Sequence, residues 1–214
     1  NISVINRFQT GHNTAENILA LQSVGKNHNL CVIPGMEVTT SEEVHVISLF
    51  ENLDQILLFQ DIIYEHLQKG ENNDKLFGMQ VIANERDEVE SFNKRLLIGA
   101  TTLPFESVIE EIHKLNGLAI AAHIDRESYS VISQLGFIPP DQKLDALEIS
   151  RRMPIEKAKI KFQEYDMIPF ITSSDSHTLD TIAQVFTNFE INKPEFNEIK
   201  LALKNEGKRK IIYN

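Results

Sequence analysis

The sequence predicts an α/β fold built around a largely parallel sheet. Short apolar runs alternate with amphipathic segments along its 214 residues, a pattern typical of strand and helix units that follow one another. The length fits one domain or a single α/β barrel, and 42% hydrophobic with 24% charged residues is the composition of a globular protein. We therefore expect a single domain over residues 1–214.

Two helices and two strands are expected before residue 69. Asn13 can cap the first helix, with Glu16 three positions on, and Pro34 ends the first strand. Residues 69–95 are richer in charge and lack a clean period, which predicts an excursion from the main repeat with a hairpin around 79–83. In chain order, the elements before the excursion are a helix over 15–27, strands over 30–33 and 44–50, and a helix over 53–68.

The regular alternation returns at Pro104. Pro104 is a favourable first-turn residue, and Gly117 is a stop signal for the helix that lies between them. The run LAIAA that follows is apolar throughout, as expected of a buried strand. After that helix we expect strands over 118–122, 146–149, 168–172 and 185–191, and helices over 155–165 and 194–205.

Charge and cysteine content exclude several classes of function. The formal net charge is −10, whereas a protein that grips a nucleic acid duplex needs clustered Lys and Arg, so we expect no tight duplex binding. Cys31 is the only cysteine and lies in the apolar run LCVIP, which predicts a buried small residue and no internal disulfide. No run approaches the roughly 20 apolar residues of a membrane span, which predicts a cytoplasmic protein without a membrane partner.

Residues with metal-ligating side chains fall on or just after the apolar runs. Glu37 follows LCVIPG, His45 lies in VHVIS, and His123 follows LAIAA. Asp175 and His177 follow IPFITS. Because the carboxyl ends of parallel strands meet on one face of a barrel, we expect these five side chains to converge. Imidazole and carboxylate ligands suit divalent Zn, Mn or Fe ions.

Each of these residues also has a structural interpretation. A single histidine at a strand end is more often a hydrogen-bonded structural residue than a ligand, so the joint placement is what favours a metal site. Glu148, in ALEIS, fits a supporting carboxylate or a structural role equally well. Arg151 and Arg152 fit an exposed turn or a contact with substrate phosphate. The histidines that we expect on the solvated surface, and not in a metal site, are His28, His66 and His113.

Several segments together resemble the successive motifs of the PHP (polymerase and histidinol phosphatase) superfamily. They are PGMEVTT with VHVISLF, AAHIDR, LEIS and SSDSH, in matching order and spacing over most of the chain. The resemblance implies a distorted TIM-like (β/α)7 barrel, one PHP-like domain, with two or three divalent metal ions at its mouth. It implies that Glu37 bridges two metals, that His45 and His123 complete one metal site, and that Asp175 and His177 serve neighbouring ones.

Two departures from the family pattern affect this expected site. The family opens with an H-x-H pair on its first strand, and this sequence contains none. The T-D-H motif of the family is resembled by Thr10-Gly11-His12, in which Gly11 stands where the aspartate would be. His12 remains a candidate ligand, whereas Gly11 cannot be one. We therefore expect a barrel that lacks its first βα unit and holds fewer metals than the family does.

The predicted function is metal-dependent hydrolysis of a phosphoric ester. The expected partner is a small phosphorylated substrate, a phosphomonoester or a nucleotide-type molecule, attacked by a metal-activated water. No catalytic residue is needed beyond the metal ligands. Asp125 and Arg126 are candidates for orienting a ligand or substrate, and Arg126 is the candidate substrate-binding residue.

Three other functions compete with this one. The main alternative is a degenerate PHP-fold protein with an incomplete metal site and little or no catalysis. A metal-dependent hydrolase of carbon–nitrogen bonds would need H-x-H strands and a ligating lysine, and neither is present. A nucleic-acid-processing exonuclease or polymerase-associated module is disfavoured by the charge, which still allows cleavage of short oligonucleotides.

Overall fold

The computed structural model describes residues 12–213, except for the side chain of Leu179. Thr10 and Gly11 lie outside the described residues. The strands are β1 (Gly35–Thr39), β2 (His45–Leu49), β3 (Val81–Ala83), β4 (Val89–Phe92), β5 (Leu118–Ala121), β6 (Ala146–Ile149), β7 (Phe170–Thr172), β8 (Asn188–Glu190) and β9 (Lys210–Ile212). The helices are α1 (Ile18–Asn27), α2 (Leu53–His66), α3 (Asp74–Phe77), α4 (Phe105–Lys114), α5 (Val131–Leu135), α6 (Ile155–Lys161) and α7 (Phe196–Leu203), with 3₁₀ turns at Gln163–Tyr165 and Leu179–Thr181.

Five strands form the central sheet, in the order β1-β2-β5-β6-β7. β2 is antiparallel to both of its neighbours, whereas β5, β6 and β7 are parallel to one another. β2 is therefore antiparallel to the other four strands of the sheet. Because Thr39 pairs with His45, the first residue of β2 lies at the same edge as the carboxyl ends of those four strands.

The predicted α/β class is confirmed as a mixed fold with a central sheet and helices. The expected parallel arrangement is wrong at β2, because residues 40–44 are too few for a parallel crossover and only a hairpin can join β1 to β2. No ladder joins β1 to β7 within residues 12–213, so the described residues form an open sheet and not a closed (β/α)7 barrel. A single parallel bridge places His12 beside Glu37 at the β1 edge.

Apolar side chains cover both faces of the central sheet. On one face α2 and α4 bury residues such as Phe59 and Ile112. On the other face α7 buries Phe196 and Ile199 together with Phe189 of β8. Because both faces are covered, all residues of β5 and β6 are buried, which explains why β5 is apolar throughout and β6 is apolar except for Glu148.

The largest error in the predicted elements concerns the first strand. The run 30–33 is not a strand in the structure, and β1 begins after Pro34, where five buried residues pair with β2 along their whole length. Cys31, expected to be buried, is exposed because its run lacks a pairing partner. Asn13 does not cap α1, whose N-cap is Asn17. None of the described helices has the length and apolar character needed to cross a bilayer.

The charged segment 69–95 contains a hairpin separate from the central sheet. β3 and β4 pair only with each other among the described strands. Asn17 attaches this hairpin to α1, since its side-chain amide donates to the carbonyl of Val81 at 2.9 Å and its oxygen accepts from the N–H of Ala83 at 2.9 Å.

Candidate metal centre

Three polar residues meet at one edge of the central sheet. Glu37 lies in the middle of β1, His45 begins β2, and His123 lies two residues after β5. Only 6%, 8% and 2% of their surfaces, in that order, are exposed. Burying polar groups is costly unless partners satisfy them, so these three side chains need hydrogen-bond, ionic or metal partners at this edge.

His12 joins these residues because Asn13 holds the chain beside β1. Asn13 is fully buried, its N–H donates to the Glu37 carbonyl at 2.8 Å, and its side-chain oxygen accepts from the N–H of Thr39 at 3.1 Å. Its side-chain amide donates to two carbonyls of the segment that follows β4, at 2.8 and 2.9 Å. These bonds fix the backbone that carries His12.

We call His12, Glu37, His45 and His123 the Glu37 cluster. Nδ1 of His12 lies 3.3 Å from Glu37 Oε2, Nδ1 of His45 lies 3.2 Å from Oε1, and Nε2 of His123 lies 3.5 Å from Oε1. Burial alone would raise the pKa of Glu37, but hydrogen bonds from His123 and His45 outweigh burial and hold that pKa well below its usual value. The ionised carboxylate gives the cluster a buried negative charge.

The Glu37 cluster has the donor set of a divalent metal site. One ligand atom each from His12, Glu37 and His45 lie within 4.8 Å of one another. Ligand atoms bonded at about 2.0–2.2 Å to a tetrahedral ion are about 3.4 Å apart. The distances between the Glu37 oxygens and the three imidazole nitrogens, 3.2 to 3.5 Å, match that spacing.

The protonation of His12 also fits a cation site, whereas the pKa of His123 is raised, since burial lowers it but the hydrogen bond to Glu37 and nearby carboxylates outweigh burial. Burial lowers the pKa of His12, so its imidazole is neutral and offers a lone pair. Nδ1 of His123 is buried and has no hydrogen-bond partner among residues 12–213. An unsatisfied buried nitrogen costs about 1–3 kcal/mol, and an ion in the Glu37 cluster would not remove this cost, because the His123 nitrogen that faces Glu37 is Nε2.

Glu148 supports His123 from β6. One oxygen of its carboxylate accepts from the His123 N–H at 3.0 Å, and the other accepts from the hydroxyl of Ser173. The residue is 2% exposed, and burial raises the pKa of its carboxyl. Of the two roles that the sequence left open for Glu148, this contact favours support of the cluster.

Tyr129 is a site residue that the sequence analysis missed. Its ring stacks on the His45 imidazole with centroids 4.6 Å apart and planes 21° apart, and its carbonyl accepts from the His45 N–H at 2.9 Å. The stack depends on how the loop after β5 folds back over β2. No local pattern in the sequence signals such a fold.

Asp175 and His177 lie at the mouth of the site but outside the Glu37 cluster. The Asp175 carboxylate accepts from Nη1 of Arg126 at 2.5 Å. The His177 side chain is 69% exposed, and its ring centroid lies 6.3 Å from that of His12. The structure therefore brings together four of the six predicted ligands and leaves these two on the rim.

Three residues at the site are among the eleven described non-glycine residues that have a positive φ. His123, Tyr129 and Asp175 have φ values of 30°, 59° and 44°, in the left-handed region that non-glycine residues rarely adopt. Such residues cost about 1–3 kcal/mol each and are typical of functional sites, where the surrounding structure holds them.

Asp125, a candidate orienting residue, bonds instead to the segment after β6. Its carboxylate accepts from the N–H and the hydroxyl of Ser150, each at 2.7 Å. We expect Asp125→Ala to lower the free energy of unfolding by about 1–3 kcal/mol, because it leaves the partner groups unsatisfied. Urea denaturation measures this change.

Glu127→Ala is the matched control for Asp125→Ala. Glu127 is an exposed carboxylate of the same loop and makes no side-chain hydrogen bond with another described residue. An Asp125→Ala variant as stable as Glu127→Ala would show that the Ser150 contacts do not hold this loop.

Comparisons with known proteins bear first on the fold. No family model matches the chain. It is 30% identical over 110 residues to the uncharacterized protein YqxK of Bacillus subtilis (strain 168), a match that covers 49% of this chain and 28% of that protein. The structure is similar to that of the lesion-specific endonuclease PfuEndoQ from Pyrococcus furiosus, with a TM-score of 0.62, 21% identity, and coverage of 83% of this chain and 40% of that one.

A second solved structure is Endonuclease Q in complex with a 27-mer duplex substrate that has an abasic lesion at the active site. The TM-score is 0.64 at 19% identity, over 96% of this chain and 54% of that chain. The described residues thus have the mixed α/β fold of part of Endonuclease Q. The chain spans about half, or less, of each protein it resembles.

These similarities correct the expected partner. A small phosphorylated substrate and no tight duplex binding were expected, but the similar structures are endonucleases and one of them holds a duplex. The net charge does not exclude duplex binding, because it is a sum over the whole chain, whereas duplex binding depends on where positive charge is located.

The remaining histidines take no part in the Glu37 cluster. His28 is exposed, as predicted. His66 and His113 are half-buried, and each has a polar partner: Nδ1 of His66 lies 2.9 Å from the Ile62 carbonyl, and Nε2 of His113 lies 2.9 Å from Asp145.

Proposed function

We propose that this chain is a metal-dependent phosphoric ester hydrolase of PHP type that cleaves phosphodiester bonds in nucleic acid. The convergence of His12, His45 and His123 on the buried carboxylate of Glu37 is the observation that carries the proposal. The fold likeness to Endonuclease Q supports a polymeric substrate. We also propose that the described sheet belongs to one PHP-like barrel domain.

The residues of the Glu37 cluster would hold a divalent ion, with Zn, Mn and Fe all compatible with the ligands. When bound, such an ion supplies a Lewis acid and a water of lowered pKa. Glu37 contributes the negative charge that keeps a cation at the inner end of the site. Asp175 and His177 are proposed as ligands of a neighbouring ion on the rim.

The supporting residues keep the ligands in place. Tyr129 fixes the plane of the His45 ring by stacking on it, and Glu148 fixes the backbone of His123. Tyr129 and Glu148 thus already restrict the two histidines before a cation binds. A ligand set held in this way pays less conformational entropy when the site fills.

Arg126 is proposed to bind substrate phosphate. Its Nη1 is engaged with Asp175, and its remaining N–H groups have no partner among residues 12–213. A guanidinium can donate to two acceptors in its plane, so one side can hold Asp175 while the other side meets a phosphoryl oxygen. In this proposal the substrate phosphate lies between Arg126 and the Glu37 cluster.

A second candidate function is cation binding without efficient hydrolysis. Two observations favour it: the sequence lacks the H-x-H pair of the family, and Arg126 occupies the Asp175 carboxylate that would otherwise serve a metal. In that case the Glu37 cluster would bind a cation but would not turn over phosphodiesters.

One experiment separates the two functions. The protein is loaded with Mn, Zn or Fe, the metal bound per chain is measured, and cleavage of a labelled duplex, a single-stranded oligonucleotide and 4-nitrophenyl phosphate is followed. We expect oligonucleotide cleavage that a chelator abolishes and added metal restores. Bound metal without cleavage of either oligonucleotide would favour the second candidate, and a chain that binds no metal would contradict both.

A further inference from the structure

A concentration of positive charge begins where β6 ends. Residues 151–161 contain five of the chain's 21 basic residues and a single acidic residue, Glu156. In a chain with a net charge of −10, this is a pronounced local excess of positive charge. We call four of these residues the basic strip: Arg151, Arg152, Lys157 and Lys161.

The basic strip starts at the edge of the sheet that carries the Glu37 cluster. Ser150, the residue before the strip, bonds to Asp125 through its N–H and its hydroxyl, both at 2.7 Å, and Asp125 lies two residues after His123. The hydroxyl oxygen of Ser150 accepts from the N–H of Arg152 at 3.2 Å. These contacts tie the first residues of the strip to the loop that holds His123.

The charged groups of the strip are available to a partner. All four side chains are exposed, and none forms an ion pair with another residue of 12–213. The Lys161 ammonium lies 5.0 Å from the ring centroid of Phe162, farther than the 3.5 Å between Lys159 and Tyr213. Asp180, in the segment after β7, has a pKa below its usual value, chiefly through a hydrogen bond from Thr178 and also because Arg151 is near. Arg151 thus faces the segment that follows Asp175.

Lys159 belongs to the same helix but not to the strip. Positions 157 and 161 are one turn apart on one face of α6, whereas position 159 points about 200° away from position 157. The Lys159 ammonium lies 3.5 Å from the ring centroid of Tyr213, so its charge is directed onto an aromatic ring.

We infer that the basic strip binds the phosphate backbone of a nucleic acid duplex whose scissile phosphodiester lies at the Glu37 cluster. The inference rests on the proposed function and adds the surface that holds the polymer beside the site. Lys157 and Lys161 are about 6 Å apart along the axis of α6, and phosphates of one strand recur about every 3.4 Å along a duplex axis. The two lysines therefore match phosphates about two positions apart on one strand.

The test compares two double variants with a matched control. Arg151→Gln/Arg152→Gln and Lys157→Gln/Lys161→Gln each remove two charges from the strip, and Lys159→Gln removes one from the other side of α6. Binding of a fluorescein-labelled duplex is measured by anisotropy over a range of NaCl concentrations, with EDTA present to prevent cleavage. Thermal melting checks that each variant is folded.

We expect each double variant to bind about tenfold more weakly at 0.1 M salt and to lower the slope of log K against log salt by about 2, since each lost phosphate contact removes about 0.9. Lys159→Gln should keep the wild-type slope. Double variants with the wild-type slope, a Lys159→Gln variant with an equal loss, or a wild-type chain that binds no duplex would each overturn the inference.

Cleavage by the wild-type chain is scored separately, so that the two proposals can fail independently. Duplex binding that depends on the strip without any cleavage would contradict the proposed function and support the strip. Cleavage that survives with unchanged duplex affinity in both double variants would support the proposed function and contradict the strip.

Discussion

Replacing Glu37 with glutamine is expected to abolish metal-dependent phosphodiester cleavage, with a loss of about 1000-fold or more. Glutamine keeps the size of the side chain but removes the negative charge that faces three imidazole nitrogens at 3.2 to 3.5 Å. A divalent cation stabilises a reaction by several kcal/mol only while its ligands hold it. The bound metal per chain should therefore fall together with the rate.

The measurements for Glu37→Gln are the cleavage rate, the bound metal and the thermal melting of the metal-free protein. Glu43→Gln is the control, since Glu43 is an exposed carboxylate on the turn between β1 and β2. It should keep both metal and activity. A Glu37→Gln variant that binds metal normally and cleaves at the wild-type rate would refute the assignment of the site.

The largest loss of stability is expected for Phe59→Ala, at about 3–5 kcal/mol of the free energy of unfolding. Phe59 of α2 is fully buried, and its ring packs against Phe50 with centroids 5.2 Å apart. Truncation to alanine removes this contact and leaves a cavity that the surrounding residues only partly fill. Urea denaturation measures the change.

Leu58→Ala is the matched control for Phe59→Ala, because Leu58 is the preceding residue of α2 and is 55% exposed. Its cost should stay below about 1 kcal/mol. Equal losses for the two variants would mean that the packing of α2 on the sheet is not the main source of stability here.

Phe59→Ala also tests how the core supports the site. Gln60, the next residue of α2, accepts from the N–H of Ala15 at 2.7 Å and so holds the segment that carries His12. A shift of α2 into the cavity would move this anchor. We therefore expect Phe59→Ala to weaken metal binding in addition to lowering stability, whereas Leu58→Ala should leave metal binding unchanged.

Local sequence patterns were enough to place most of the elements. β2, β5 and β6 lie within the predicted apolar runs, because a strand buried on both faces is mostly apolar, with His45, Ser48 and Glu148 as the polar exceptions. The first strand was misplaced because the run LCVIP is as apolar as the segment that follows it. What separates the two is pairing with β2, which is a contact between distant residues and leaves no local signature.

The candidate site, too, was predictable from local sequence patterns only in part, because it also depends on contacts between distant residues. Glu37, His45 and His123 could be selected from the sequence because their ligating side chains lie together on or after apolar runs, although each one alone has a more common structural explanation. Their convergence was expected for a reason that fails at His45, since β2 was expected to be parallel to its neighbours in a largely parallel sheet. His45 reaches the common edge because β2 runs in the opposite direction and begins there.

Periodicity and composition are local properties, so they were enough to predict the α/β class and the residue types available for a metal site. Which side chains meet became known only from the fold: Glu37 receives three histidines, Tyr129 covers His45, and Arg126 engages Asp175. These contacts depend on strand direction and loop path, which arise from packing between distant segments. No short stretch of sequence encodes them.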